Sequence, residues 1–202
     1  MKMKNTICTV LCLLPLTSFA LQMDPKEKDK LTQGKLVQDI KFRDKFVWPL
    51  VTMRALIPGT PEVNMKNFTQ FEKHPSFIPD LLESKVVKTI SPTQMHVYAE
   101  MKVPWPVNKS KYTTNNVITT AADGTKELTW NKVDGDLIKA TDGHIIFSPY
   151  EGGKSLMEYQ SQIVPDSKFA GMFKNKVPKD VKKSVKKIVE FLKNEQAQKA
   201  AK

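Results

Sequence analysis

The feature that most restricts how this chain can fold is a single long amphipathic helix placed last, behind a series of strand-like segments. Val181, Val185, Ile188, Val189 and Leu192 recur at i, i+4, i+7, i+8 and i+11, one apolar stripe on a helix opening near Pro178. Lys179, Lys182, Lys183, Lys186, Lys187 and Lys193 mostly fill the opposite arc. Ahead of it the period changes to two. Between Met95 and Val103 the odd positions are all apolar and the even ones mostly polar, which gives a strand one wet and one buried face. An antiparallel sheet with one apolar face needs a cover, and only this helix is long enough to supply it.

The other elements fall into place around that pair. Lys35 to Arg43 reads as a first strand, Asp44-Lys45 as a turn, and Phe46 to Ile57 as a second strand with Pro49 at an edge. Thr60 can cap a helix, Pro61 is preset for its first position, and Glu62 favours its positive end. That helix is expected to reach about Phe71, where His74-Pro75 breaks it before a short second helical turn near residues 75–82. Residues 112–120, 127–133, 143–148 and 155–164 read as further strands. Asp123-Gly124, Asp134-Gly135, Asp142-Gly143 and Gly152-Gly153 stand where turns would need positive φ. The expected fold is therefore α+β, an antiparallel sheet of about seven strands wrapped around a long C-terminal helix, with two short helices after the second strand. The 202 residues suit one domain, spanning 35–195. Residues 21–34 are expected to be a loose polar lead-in, and 196–202 a frayed basic tail.

Residues 1–20 have the layout of a secretory signal peptide. Lys2 and Lys4 precede an apolar run from Thr6 to Leu16, and Ser18-Phe19-Ala20 offers small residues where a signal peptidase cuts. The run is too short to span a bilayer. Both cysteines, Cys8 and Cys12, lie in this leader, so the mature chain would have neither disulfide nor thiol chemistry. A periplasmic or secreted location is expected, the bacterial periplasm preferred because a secreted eukaryotic domain more often uses disulfides. The sequons at Asn67 and Asn108 would matter only in a eukaryotic secretory pathway.

The net charge of +11 is unevenly spread. From Lys174 to the end, ten lysines face only Asp180, Glu190 and Glu195, while the body between leader and helix is nearly balanced. The bland reading is a solvated helix face. The sharper one is transient contact of Lys182, Lys183, Lys186 and Lys187 with an anionic membrane surface. Nucleic acid is not an expected partner, because only Arg43 and Arg54 are present to read bases. A monomer is expected.

In order and motif, residues 35–195 resemble the START and START-like superfamily, which includes the polyketide cyclase and Bet v 1-like proteins. Thr60-Pro61-Glu62-Val63 opens the first helix. The stretch Phe71-Glu72-Lys73-His74-Pro75-Ser76-Phe77-Ile78-Pro79 is similar to the family's D-Y-x-x-Y-P-x-F-I-P, and Val103-Pro104-Trp105-Pro106-Val107 to its P-W-P element. Residues 143–149, Gly153, Tyr159 and Met172-Phe173-Lys174-Asn175 match the run into the last helix. Bacterial members usually follow P-W-P with an Arg-Asp pair; here Asn108-Lys109-Ser110-Lys111 stands instead, so no role of that pair carries over. The resemblance implies a helix-grip fold holding an apolar small molecule or lipid, as carrier or sensor.

The residues themselves allow that chemistry without compelling it. The inward strand positions are Met53, Val97, Ala99, Met101, Val103, Trp130, Phe147, Met157 and Tyr159, roofed by Val185, Ile188, Val189 and Leu192, with Trp105 near a mouth. Methionine thioethers adapt to varied apolar shapes, yet the same residues would equally form an ordinary core. No metalloprotease, nucleophile-elbow, phosphate-loop or dinucleotide motif is present, and His74, His96 and His144 lack ligand spacing, so no catalytic residue, cofactor or metal is expected. The alternative is a cyclase- or hydrolase-like enzyme using Tyr159, Tyr112 or Asn116 inside the same cavity.

Overall fold

The computed structural model describes residues 23–103, 108–166 and 170–200. The leader, with the cleavage expected near Ala20, and Trp105 of the P-W-P element lie outside those residues. Eight strands form one sheet: β1 (Val37–Lys41), β2 (Leu50–Pro58), β3 (Leu81–Ser91), β4 (Gln94–Lys102), β5 (Lys109–Thr120), β6 (Lys126–Gly135), β7 (Ile138–Tyr150) and β8 (Lys154–Pro165). All pairings are antiparallel, in the order β1-β2-β8-β7-β6-β5-β4-β3. Strands β3 to β8 form a meander, and the β1–β2 hairpin adds to it along β8.

The described residues also form three α-helices: α1 (Pro25–Thr32), α2 (Pro61–Phe68) and α3 (Val177–Ala200). A 3₁₀ segment, Phe71–Ser76, follows α2. The start of α2 forms as its residues dictate: the Thr60 hydroxyl accepts from the Val63 N–H at 3.4 Å, and Pro61 occupies the first turn. The apolar stripe of α3 is buried against the concave face of the sheet, closest to β2. Val185, Ile188, Val189 and Leu192 join Val51, Met53, Ala55, Ile57, Met65, Phe68, Phe71, Val97, Leu128, Ile145, Phe147 and Met157 in one core cluster. Burying each of the larger side chains contributes about 1.5–3 kcal/mol.

Four features differ from the sequence expectations. The sheet has eight strands, one more than the segments read from the sequence. The extra one, β3, is an edge strand whose pairing with β4 shifts register three times, and those irregularities erase its alternation. The polar lead-in contains α1: Asp24 caps it through the Lys26 N–H, Leu31 is 1% exposed, and Glu27 pairs with Arg54 on β2. Residues 196–200 of the expected frayed tail continue α3, and the Gln196 amide reaches Asn64 on α2. Finally, Gly143 marks no turn but lies in the middle of β7. The β6–β7 reversal lies between Gly135 and Ile138, beside the expected Asp134-Gly135 turn, with Leu137 at φ 58°.

Candidate functional site

The two ends of the concave face differ. At one end α2 closes the sheet. Asn64, fully buried, donates through its amide to the carbonyls of Pro58 and Gly59 and to the Ser155 hydroxyl, at 3.0–3.1 Å. Lys126 on β6 pairs with Glu62 of the same helix. His74, held among Phe68, Phe71 and Phe77, donates from Nε2 to the Phe68 carbonyl at 2.7 Å. Burial lowers its pKa below the usual 6.5. Phe77 stacks on Phe191 of α3 at 4.2 Å, which ties this end of the sheet to the last helix.

Toward the other end, where the β1–β2 turn, the start of β5 and the approach to α3 lie, the concave face turns polar. Register places Ser161, Gly143, Trp130, Asn116 and Met95 in one row across β8 to β4, and Thr114, Tyr112 and Tyr159 beside it. The buried Asn116 amide donates to the Thr114 hydroxyl and carbonyl at 2.9 and 3.1 Å. Trp130 and Tyr159 lie 5.4 Å apart between ring centroids. Burial raises the Tyr112 phenol, and it pushes that of Tyr159 up to about 12, with the neighbouring Tyr112 adding to the effect. Both phenols are thus desolvated, yet both tyrosines keep accessible surface.

The expected lining residues divide between these two regions. Met53, Val97, Phe147, Met157, Val185, Ile188, Val189 and Leu192 are buried members of the core cluster, and Ala99 is buried beside Tyr112. Met101, Trp130 and Tyr159 are half-buried and keep surface. Val103 lies just past the end of β4, its N–H donating to the Asn108 carbonyl. The sequence reading missed Thr114, Ser161 and Thr141, all buried and polar; their inward position follows from register, which alternation alone did not fix. Two open grooves flank α3. One of about 370 Å³ is lined by Ser76, Phe77, Lys187, Glu190, Phe191 and Asn194. The other, of about 540 Å³, runs between residues 34–36 and Lys182, Lys186, Val189 and Lys193. Neither lies between helix and sheet. Among the described residues no group of three His, Cys, Asp or Glu side chains could hold a metal ion.

This architecture is similar to that of solved lipid-transfer proteins. A STAR-related lipid transfer protein of Xanthomonas axonopodis matches with a TM-score of 0.69 at 15% identity, over 79% of this chain and 98% of that one. Human StAR-related lipid transfer protein 5 matches with a TM-score of 0.65 at 10% identity, over 81% and 84%. The Zhui aromatase/cyclase of Streptomyces sp. R1128 gives 0.60 at 7% identity, over 75% and 94%. No family model and no curated protein matches the sequence. What the likeness establishes is the fold: the chain has the helix-grip architecture seen in these structures.

Proposed function

We propose that the protein binds an apolar molecule with a polar end group between α3 and the β4–β6 arm of the concave face, as a carrier or sensor. The supporting observation is the pair Tyr112 and Tyr159. On the same face of the sheet as the core cluster, both tyrosines keep accessible surface, as do Met101 and Trp130, while the other described lining residues of the sheet and α3 are packed. Met101 and Trp130 would contact the apolar part, and the packed residues from Met53 to Leu192 hold the wall behind them. Tyr159, protonated at any physiological pH, would offer a hydrogen bond to the end group. Export to the periplasm belongs to the same proposal and rests on the leader.

A phenol pushed up to about 12 stays protonated near neutral pH, so Tyr159 can donate a hydrogen bond but holds no phenolate to act as a general base. That favours binding over the cyclase- or hydrolase-like alternative. The test is mass spectrometry of organic extracts from the purified mature protein, with titration of a fluorescent fatty acid. A copurifying lipid is expected, together with saturable probe binding weakened about tenfold by Trp130→Ala. Empty extracts and no saturable binding would end the proposal.

A further inference from the structure

Two loops meet at the end of the sheet where the polar strip lies. The β1–β2 turn carries Phe42, Phe46 and Val47, which are 60%, 38% and 46% exposed. The segment before α3 carries Met172, 78% exposed. The Trp48 indole N–H donates to the Ala170 carbonyl at 2.8 Å, which joins the two loops. Cations are set against the apolar groups: the Arg43 guanidinium lies 4.3 Å from the Phe46 ring centroid and the Lys174 ammonium 5.3 Å from that of Phe42. Lys41, Lys45 and Lys176 are exposed nearby; Lys41 pairs with Asp39 at 3.3 Å and Lys176 with Asp180 at 2.9 Å. Asp44 is also exposed, so Arg43, Lys45 and Lys174 carry the surplus positive charge.

We propose that these loops form a docking surface for anionic lipid bilayers, with Phe42, Phe46, Val47 and Met172 entering the headgroup region and the cations meeting lipid phosphates. Charge complementarity selects the partner. Protruding apolar tips ringed by lysine and arginine match an interface that is anionic outside and greasy beneath. The lysines of α3 lack half of that combination. Lys182, Lys183, Lys186 and Lys187 are exposed, but among the described residues no large hydrophobic side chain on α3 is. The inference stands apart from the ligand proposal, because docking is read on protein with no ligand added.

The experiment is cosedimentation of the chain from residue 21 onward with phosphatidylcholine vesicles, with and without phosphatidylglycerol. Binding should require the anionic lipid and fall steeply between about 50 and 500 mM NaCl. Phe42→Ser with Met172→Ser, and separately Lys45→Glu with Lys174→Glu, should each weaken it about tenfold or more at an unchanged melting midpoint. Reversing Lys182, Lys183, Lys186 and Lys187 together should weaken it less than either loop pair. Loop variants that bind like the parent, a parent that ignores anionic vesicles, or a loss confined to the helix variant would each overturn the assignment.

Discussion

The indole of Trp130 occupies the space above Gly143: a β-carbon on that glycine would sit 2.5 Å from Cζ2 of the ring and 2.3 Å from the Gln160 carbonyl oxygen. Gly143 pairs with Trp130 across β6 and β7, so the glycine is there to seat the ring, which leans toward Tyr159. Gly143→Ala should destabilise the fold by about 1–3 kcal/mol, since backbone on one side and a large ring on the other must both move. It should also shift the Trp130 contribution to the fluorescence spectrum. Urea unfolding with fluorescence detection checks both; a change under about 0.5 kcal/mol would mean that the ring moves aside freely.

The legible parts of this fold were those whose signal is local. The α3 stripe, the alternation in β4 and the Thr60–Pro61 helix start each declare themselves within a few residues. The hidden parts depend on distant partners. Helix α1 is short and almost wholly polar, and it is anchored by a buried Leu31 and by Arg54, which lies far along the chain. Gln196 stays ordered because Asn64 stands opposite it, and Gly59, at φ +89°, leaves room for its side chain. Gly143 carried a turn-like dipeptide with Asp142, but its reason is a ring on the neighbouring strand. The alternation in β4 and the α3 stripe pointed to residues that pack in the core, Val97, Val185, Ile188, Val189 and Leu192 among them. Which inward positions would pack and which would keep open surface depends on where α2 and α3 press, and no spacing encodes that.

His74 makes stability depend on pH. Its ring is buried, bonded to the Phe68 carbonyl, and burial holds its pKa below the unfolded value of 6.5. The unfolded chain therefore takes up a proton first as pH falls. The contribution is fully present above about 6.5 and is lost as pH falls through the lowered folded value. Chemical unfolding at pH 7.5, 6 and 5 should show declining stability. His74→Gln, which keeps a donor for Phe68, should flatten that decline. An unchanged slope in the variant would remove His74 as its source.

Arg54 holds α1 against the convex side of the sheet. Its guanidinium bonds Glu27 at 2.8 Å and Glu158 at 2.6 Å, and His144 meets the other oxygen of Glu158 at 3.2 Å. The His144 hydrogen bond, with the pairing to Arg54, keeps the Glu158 carboxyl below 4.5 despite its burial. Arg54→Met leaves two shielded carboxylates without their cation and should cost about 1–3 kcal/mol at pH 7, less than a fully buried pair because each side chain keeps some solvent. Glu158 contributes above its unfolded pKa and loses that contribution as pH falls through its lowered folded value, so the penalty should shrink below about pH 4. Hydrogen exchange over residues 25–32 should quicken in the variant while that of β7 and β8 stays slow. Exchange that quickens equally everywhere would show that Arg54 supports the whole sheet, not the docking of α1.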